Sequence, residues 1–321
     1  MLPPRDSLTI CFAHVVYQLQ QRLAARHKDI RSFEVRDRGE LDRRVGEADV
    51  LVVSGLWHDG LLANAKRLRY IQSIGAGTDQ FPRGALAEAR IRLASAQGVN
   101  ARAVSEHAMA LILAMTRKLP EACNNQANKV WRGMIGDIAR REDELGGKTL
   151  LIVGLGGIGL RLARLAKAFD LTVIGLRRHP TGSEGVDAVH GIDALHRLLP
   201  TADFVALTCP LTKETENLID ADALRHMQPT AYLINVARGR VVDEPALIAA
   251  LRERRIAGAA IDVTVEEPLN PASPLWDLPN LLITPHTAGE TRRYEDNVLD
   301  ILDENLDRLW RGEATLKNQI V

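Results

Sequence analysis

The segment LLIVGLGGIGLRLARLAKAF, residues 150–169, places a glycine-rich loop between an apolar run and a helical pattern. Its glycines at 154, 156 and 159 have the spacing G-x-G-x-x-G. The first permits a tight turn, the second lets backbone amides approach a pyrophosphate, and the third lets the helix pack close to the strand. The helix N-terminus also offers partial positive charge to the phosphates. The loop therefore predicts dinucleotide binding by Gly154, Leu155, Gly156, Gly157, Ile158 and Gly159.

The elements around this loop decide whether it is a binding loop or only a tight turn. Short apolar runs alternate with helical patterns along most of the chain, which is typical of a parallel α/β sheet. Strands are predicted at Leu8–Phe12, Val50–Ser54, Tyr70–Ile74, Ile91–Ser95, Thr149–Val153, Thr172–Leu176, Phe204–Thr208, Tyr232–Val236, Ala259–Val263 and Leu281–Thr284. Because one strand precedes the loop and another follows its helix, the dinucleotide interpretation is favoured.

A long apolar-periodic segment, Ala103–Leu119, separates two α/β regions. Ser105 is predicted to cap this helix and Pro120 to end it, and a last helix, Thr291–Trp310, is expected to return to the first region. We predict a two-lobed α/β protein. Residues 1–98 and 290–321 form a smaller, flavodoxin-like substrate domain, and residues 99–289 form a Rossmann-type dinucleotide-binding domain with a doubly wound parallel sheet. A ligand is expected in the cleft between the lobes.

The composition is that of an ordinary globular protein, with 46% apolar and 26% charged residues. Lys+Arg and Asp+Glu both number 41, so net charge gives no indication of nucleic acid or an anionic membrane as a partner. Cys11, Cys123 and Cys209 fit neither a disulfide framework nor a zinc site, and no metal ion is predicted. No apolar run reaches the ~20 residues that span a bilayer. We expect a cytoplasmic protein.

The strand after the glycine loop ends in cations instead of an acid. The residue that contacts the adenine ribose is expected about 20 residues beyond the loop, and Arg177 occupies this place. A carboxylate there would bind the ribose hydroxyls and repel a 2′-phosphate, whereas a guanidinium pairs with the phosphate. Arg178, with His179 or Thr181, would add to the pocket. We predict NADP(H) as the preferred cofactor; the alternatives are NAD(H) and solvated charges at a strand end.

Three strands of the second region are followed by polar side chains. Arg238 follows the strand in AYLINVARGRVVDEPAL, and Glu266 and Glu267 follow the strand in AGAAIDVTVEEPL. His286 follows the strand in LLITPHTAGET. Each alone has an ordinary explanation: Arg238 as a charge in a turn, Glu267 as a solvated acid, and His286 as a core histidine with its hydrogen bonds satisfied. Because the carboxyl ends of parallel strands meet at the edge where ligands bind, the three together favour a catalytic group.

These residue types fit the reduction of a 2-keto acid. A histidine can donate a proton to the developing alkoxide near neutral pH while hydride arrives from a nicotinamide. A neighbouring carboxylate orients the ring and favours its protonated form. An arginine anchors the substrate carboxylate and polarises the carbonyl.

The motifs resemble those of the D-isomer-specific 2-hydroxyacid dehydrogenases, and most closely the NADP-type glyoxylate/hydroxypyruvate reductases. The resemblance extends from about Leu68 to His286. It implies that Arg238 in NVARGR is the catalytic arginine and that His286 in TPHTAG is the acid/base residue. It also implies that Glu267, and not Glu266, pairs with the histidine.

Other segments resemble the same family. IQSIGAGTDQF, residues 71–81, resembles the turn whose amides hold the substrate carboxylate, which implies that Ile74, Gly75, Ala76 and Gly77 bind substrate together with Arg238. TCPLTKETENLI, residues 208–219, resembles the loop beneath the cofactor, and Asp262 would approach the nicotinamide carboxamide. The full set of further cofactor contacts expected is Thr208, Cys209, Pro210, Thr215, Val236, Ala237, Asp262, His286, Ala288 and Gly289. Leu56 and Trp57, which follow an early strand, are expected to line the substrate side-chain pocket.

The sequence thus predicts an NADPH-dependent reductase of small 2-keto acids, with glyoxylate or hydroxypyruvate as substrate. One alternative is an NAD-dependent dehydrogenase for a bulkier D-2-hydroxy acid. Another is a dinucleotide-sensing binding protein like the corepressor in the same family, which the complete set of Arg238, Glu267 and His286 disfavours. By resemblance, a homodimer is expected through Ala103–Leu119 and the segment carrying Trp131.

Overall fold

The chain forms two compact units in a computed structural model that describes residues 2–182 and 185–321. One unit comprises the chain up to Asn100 together with Thr291–Val321, and the other is Ala101–Glu290. Each unit contains one parallel β-sheet with helices, which confirms the predicted α/β class. No helix in the described part of the chain is long and apolar enough to cross a membrane.

The first unit is built on a five-stranded parallel sheet. Its strands are β1 (Thr9–Ala13), β2 (Arg31–Val35), β3 (Val50–Val53), β4 (Tyr70–Ser73) and β5 (Arg92–Ala94). Its first helices are α1 (Leu19–Arg26), α2 (Arg38–Arg44) and α3 (Arg83–Glu88). The strand order β2-β1-β3-β4-β5 is the flavodoxin-like order. The central strand β3 is buried along its whole length, as expected where both faces of a parallel sheet are covered.

The second unit is built on a seven-stranded parallel sheet. Its strands are β6 (Thr149–Val153), β7 (Thr172–Leu176), β8 (Ala188–His190), β9 (Phe204–Leu207), β10 (Tyr232–Asn235), β11 (Gly258–Ile261) and β12 (Leu281–Ile283). Its helices are α4 (Ala101–Thr116), α5 (Leu119–Ala127), α6 (Gly157–Lys167), α7 (Leu195–Leu198), α8 (Ala221–His226) and α9 (Glu244–Arg252). The order is β12-β11-β10-β9-β6-β7-β8. The direction of winding reverses between β6 and β9, and in such sheets ligands bind beyond the carboxyl ends of the strands at this point.

The long helix α4 differs from its prediction at both ends. It begins at Ala101 and ends at Thr116. The predicted cap at Ser105 is wrong, because Ser105 lies within the helix, where its hydroxyl donates to the carbonyl oxygen of Arg102 over 2.9 Å. The predicted stop at Pro120 is also wrong, because Lys118 turns the chain with a left-handed φ of 50°. Pro120 instead lies in the first turn of α5, where its missing N–H costs no hydrogen bond.

The last helix, α10 (Tyr294–Trp310), belongs to the first unit and packs on α1. Leu302 and Leu306 of α10 share one apolar core with Leu19 and Leu23 of α1. At the surface of this pair, Arg26 forms ion pairs with three aspartates of α10, which are Asp296, Asp300 and Asp303. The first unit therefore needs both ends of the chain to complete its core.

Candidate active site

The glycine loop joins β6 to α6 with no room for side chains at its first and third glycines. Gly154 has a φ of 104°, and a Cβ there would lie 2.6 Å from the backbone nitrogen of Cys209. A Cβ on Gly159 would lie 2.1 Å from the carbonyl oxygen of Gly154. The hydroxyl of Thr208, at the end of β9, donates to that same carbonyl oxygen over 2.6 Å. The loop is therefore held tightly against the end of the neighbouring strand.

The second glycine of the loop faces open space. A Cβ on Gly156 would meet no atom within 4 Å. The N–H groups of residues 155–159 donate no hydrogen bond to any residue of the described ranges 2–182 and 185–321. Free amides at a helix N-terminus, next to space that a ligand can occupy, are what a pyrophosphate needs. These residues fit a dinucleotide.

Arg177 follows β7 directly and is half-buried. Its backbone N–H donates to the carbonyl oxygen of His190 over 3.1 Å, and its guanidinium Nη1 lies 3.3 Å from the hydroxyl of Thr181. Arg178 is exposed, and its charge acts on Glu214 in the loop that follows β9. The Thr212 hydroxyl that donates to Glu214, and then the charge of Arg178, lower the pKa of that carboxyl. Glu214 therefore offsets part of the positive field of Arg178.

The loop after β9 is fixed by its own polar groups. The Thr215 hydroxyl donates to the carbonyl oxygen of Pro210 over 2.7 Å and accepts from the N–H of Thr212 over 2.8 Å. Cys209 is buried, and burial raises the pKa of its thiol to about 11. Cys209 is therefore a neutral packing residue at ordinary pH, and it lies against Gly154.

Arg238 lies in a turn that a buried asparagine holds. Asn235, the last residue of β10, is 1% exposed. Its amide nitrogen donates to the carbonyl oxygen of Arg238 over 3.1 Å, and its oxygen accepts from the N–H of Ala237 over 3.0 Å. The Arg238 side chain is exposed, and its Nη1 donates to the carbonyl oxygen of Ala237 over 2.7 Å. The sequence interpretation missed Asn235, although a polar residue that ends a buried strand was a usable signal.

The turn at Arg238 lies directly against the segment that carries Glu267. A Cβ on Gly239 would be 2.1 Å from the backbone of Thr264, so only glycine fits there. The backbone N–H of Thr264 donates to Oε1 of Glu267 over 3.0 Å, and its hydroxyl donates to the carbonyl oxygen of Glu266 over 2.7 Å. Neighbouring strand ends thus place the arginine turn beside the segment carrying the glutamate.

The structure pairs His286 with Glu267. Nδ1 of His286 lies 2.6 Å from Oε2 of Glu267, with the two side chains 47% and 37% exposed. When Nδ1 carries a proton, it donates to the carboxylate, and the second ring nitrogen, Nε2, remains available for another partner. A histidine held in this way can transfer a proton at Nε2.

Asp262 holds the backbone around this histidine. The residue is 2% exposed. Its Oδ1 accepts from the Thr284 hydroxyl over 2.5 Å and from the N–H of Thr287 over 3.0 Å, and its Oδ2 accepts from the N–H of Ala288 over 2.9 Å. The N–H of His286 donates to its carbonyl oxygen over 2.7 Å. These bonds fix the segment in which His286 adopts a left-handed φ of 55°.

In the first unit, the turn after β4 has free amides. Gly75 accepts hydrogen bonds at its carbonyl oxygen from the Ser73 hydroxyl and the N–H of Ala96, both over 3.0 Å. The N–H groups of Gly75, Ala76 and Gly77 donate to no residue within the described part of the chain. The carbonyl oxygen of Ile74 accepts from the hydroxyl of Tyr294 over 2.9 Å. A turn fixed by its carbonyls, with its amides unused, can bind an anion.

The two residues expected to line the substrate side-chain pocket differ in exposure. Trp57 is 4% exposed and belongs to the apolar core of the first unit, where its ring lies 5.0 Å from that of Phe81. This burial disfavours the predicted contact between Trp57 and substrate. Leu56 is half-buried and stays a prediction.

The edge of the seven-stranded sheet thus combines a dinucleotide loop with an arginine, a glutamate and a histidine on successive strand ends. The sequence profile described as "D-isomer specific 2-hydroxyacid dehydrogenase, NAD binding domain" matches residues 109–288, which is more than half of the chain. The chain belongs to the D-isomer-specific 2-hydroxyacid dehydrogenase family. It is therefore an oxidoreductase that binds a nicotinamide dinucleotide.

Relatives of the family include enzymes of similar length. The glyoxylate/hydroxypyruvate reductase B of Yersinia enterocolitica is 34% identical over 95% of both chains. A solved 2-hydroxyacid dehydrogenase family protein from Aeromonas salmonicida is 31% identical, covers 98% of this chain and 99% of its own, and superposes with a TM-score of 0.85. A dehydrogenase of the family from Xanthobacter autotrophicus, solved with NADPH and MES, is 28% identical, with coverage of 98% for each chain and a TM-score of 0.80.

Proposed function

We propose that this dehydrogenase reduces small 2-keto acids, with glyoxylate or hydroxypyruvate as substrate and NADPH as the preferred cofactor. The observation that carries the proposal is the 2.6 Å contact between His286 and Glu267, with the histidine ring half-exposed at the carboxyl edge of the sheet. The name of the Yersinia relative supports the substrate, and Arg177 supports the cofactor.

In the proposed reaction, each side chain has a separate task. Arg238 binds the substrate carboxylate and polarises the keto oxygen. His286 donates the proton on Nε2 to the keto oxygen as negative charge develops there. Glu267 keeps Nδ1 of the ring protonated and holds its orientation. The product is a 2-hydroxy acid, the D-isomer when the substrate is hydroxypyruvate, and His286 recovers its proton from solvent.

The residues of the glycine loop would hold the cofactor through its pyrophosphate. When bound, the reduced nicotinamide supplies the hydride that reaches the keto carbon. Arg177 pairs with the 2′-phosphate of the adenosine half through its guanidinium, which a planar, bidentate donor does well. The proposed contacts along the dinucleotide stay Thr208, Cys209, Pro210, Thr215, Val236, Ala237, Asp262, His286, Ala288 and Gly289.

The reaction is tested by following absorbance at 340 nm. Glyoxylate, hydroxypyruvate, pyruvate and phenylpyruvate are each offered with NADPH and with NADH. We expect the highest kcat/KM for glyoxylate or hydroxypyruvate with NADPH. Higher turnover of phenylpyruvate with NADH would favour a dehydrogenase of bulkier hydroxy acids, and no turnover with any pair would overturn the enzymatic proposal.

The proton donor is tested with His286→Ala. Because the histidine supplies the proton in the chemical step, kcat should fall by about a thousandfold or more, while the Kd for NADPH stays within a few-fold of wild type. His226→Ala, at the exposed end of α8, is the matched control and should leave both values unchanged. A normal kcat for His286→Ala contradicts the assigned role.

Cofactor choice is tested with Arg177→Asp. Loss of a charge-assisted contact to phosphate should lower kcat/KM for NADPH by about 10- to 100-fold and change that for NADH much less. Arg197→Asp, an exposed position on α7, makes the same change in charge and controls for the overall field. Equal losses of kcat/KM with NADPH and NADH would contradict the proposal that Arg177 binds the 2′-phosphate.

We also propose a homodimer formed through the segment 129–142 that follows α5. In this segment Trp131 is 98% exposed, Ile138 is 78% exposed and Met134 is fully exposed. Exposed apolar side chains in such density mark an interaction surface, and the occupant we propose is a second copy of the chain.

The three cysteines are free thiols in the structure, which fits a reducing compartment such as the cytoplasm.

The dimer is tested by light scattering after size-exclusion chromatography. The double variant Trp131→Glu, Met134→Glu should elute as a monomer, because it places two charges in the buried centre of the proposed interface. Trp276→Glu replaces another exposed tryptophan in the same unit, 53% exposed, and should stay dimeric. A wild-type monomer at micromolar concentration would overturn this part of the proposal.

A further inference from the structure

A second histidine lies beside the network that holds His286. His107 is on α4, and its Nε2 lies 2.9 Å from the hydroxyl oxygen of Thr284 and 3.7 Å from Oδ1 of Asp262. Its side chain is 23% exposed. The helix α4 packs on β10 and β11, so it brings this ring to the strand ends that carry the site.

The direction of the hydrogen bonds follows from the number of protons available. The Thr284 hydroxyl has one proton, and it donates that proton to Asp262 over 2.5 Å. Toward His107 the hydroxyl oxygen can therefore only accept. Nε2 of His107 must carry the proton, and the chain of donors runs from His107 to Thr284 to Asp262.

This chain ends on the backbone of the proposed proton donor. Asp262 binds the amides of Thr287 and Ala288 through its carboxylate and that of His286 through its carbonyl oxygen. His286 itself has a left-handed φ of 55°, a conformation that costs a non-glycine residue energy and needs outside support. A loosened Asp262 would let this segment relax and move the ring.

We propose that His107 is a positioning residue for His286, acting through Thr284 and Asp262. It fixes the Thr284 hydroxyl so that its single proton points at Asp262, and so keeps the carboxylate aligned with the segment 286–288. The proposal rests on the proposed role of His286 as proton donor. It assigns His107 no contact with substrate or cofactor.

The test compares His107→Gln with His107→Phe. Glutamine carries an N–H donor at a distance from the backbone similar to that of histidine Nε2, whereas phenylalanine keeps the ring volume without a donor. We expect kcat for the preferred 2-keto acid to fall by about tenfold in His107→Phe and to stay within about threefold of wild type in His107→Gln. KM for NADPH should change less than kcat in either variant. A wild-type kcat in His107→Phe would overturn the proposal.

A double-mutant cycle with Thr284→Val separates positioning from packing. Because both residues act through one chain of hydrogen bonds, His107→Phe should cost nothing further in a Thr284→Val background. Additive losses of kcat in the double variant would overturn the proposal. Equal losses of kcat in His107→Gln and His107→Phe, with equal falls in Tm, would also overturn it, because they would show that His107 acts only through packing.

A measurement independent of turnover distinguishes this inference from the reaction it rests on. In ¹⁵N-histidine NMR spectra, with the His286 signals assigned by their absence in His286→Ala, His107→Phe should shift or broaden those signals and His107→Gln should not. Unchanged signals in His107→Phe overturn the positioning role. If the signals shift but the wild-type protein reduces no 2-keto acid, the proposed reaction fails and the positioning of His286 by His107 stands.

Discussion

Two carboxylates, Asp262 and Glu267, hold His286, and they differ in their exposure to solvent and in the groups that they bind. Asp262 is 2% exposed, and its carboxylate accepts hydrogen bonds from one hydroxyl and two backbone amides. The Glu267 side chain is 37% exposed, binds the ring of His286, and accepts one backbone amide, that of Thr264. Asp262 fixes the backbone of the segment that carries His286, and Glu267 fixes the orientation of the His286 ring.

The difference follows from what each carboxylate must tolerate. A group that holds backbone amides meets the same donors throughout the reaction, so it can be buried and fully satisfied. Glu267 instead holds the ring to which we assign proton transfer, and its partial exposure leaves it in contact with solvent. Loss of Asp262 should therefore appear in stability and in turnover, whereas loss of Glu267 should appear in turnover alone.

Of the substitutions that test this comparison, Asp262→Ala should have the largest effect. The substitution leaves the Thr284 hydroxyl and the amides of Thr287 and Ala288 without an acceptor in a buried place. Unpaired buried donors should lower the free energy of unfolding by about 3 kcal/mol or more, seen as a fall in Tm of roughly 10 °C. Turnover should fall by about a hundredfold because the ring is displaced.

The control for this variant is Asp277→Ala, which removes an exposed aspartate of the same unit. Its Tm should stay within about 2 °C of wild type, since exposed substitutions seldom change stability. If Asp262→Ala melts like Asp277→Ala, the hydrogen bonds of Asp262 do not stabilise the fold.

A smaller effect, confined to chemistry, is expected for Glu267→Gln. The amide cannot stabilise a charged ring, so kcat should fall by about 10- to 100-fold, while Tm changes little because the site is half-exposed. The measurement pairs steady-state kinetics with thermal melting. The adjacent Glu266→Gln is the matched control and should have wild-type kcat; a similar loss there would contradict the choice of Glu267 as the partner of His286.

The smallest effect is expected for Thr264→Val. This substitution removes the hydroxyl that binds the carbonyl oxygen of Glu266 but keeps the backbone N–H that binds Glu267. We expect a loss in kcat of about two- to threefold, since one neutral hydrogen bond next to the catalytic pair is lost. A loss as large as that of Glu267→Gln would mean that Thr264 does more than shape the segment.

The sequence predicts the second unit better than the first because its strands have clear boundaries. The strands Thr149–Val153 and Thr172–Leu176 agree with the prediction at both ends, since each is an apolar run bounded by turn residues. The strands Arg31–Val35 and Ala188–His190 were not predicted. Both lie at sheet edges, where partly exposed residues give no apolar run to recognise.

The candidate site could be predicted only where a local sequence pattern marks it. The motifs at strand ends indicated Arg238, a glutamate and His286, and the family resemblance implied that Glu267 pairs with His286. The supporting residues Asn235 and Thr284 are common polar types, and His107 lies in an apolar helix far away in sequence, so no local pattern connects them to the site. Trp57 shows a different ambiguity, because an aromatic residue after a strand is compatible with a pocket or with the core, and the structure places its side chain in the core of the first unit.

The division of the first unit between the two ends of the chain also sets an order of events during synthesis. Its apolar core combines Leu8 and Leu23 with Val298 and Leu302. Chains emerge from the ribosome at about 5–20 residues per second, so this core stays incomplete until α10 has appeared. The continuous second unit, Ala101–Glu290, can close its sheet earlier. The portion made first can therefore complete its core only after the rest of the chain has been made.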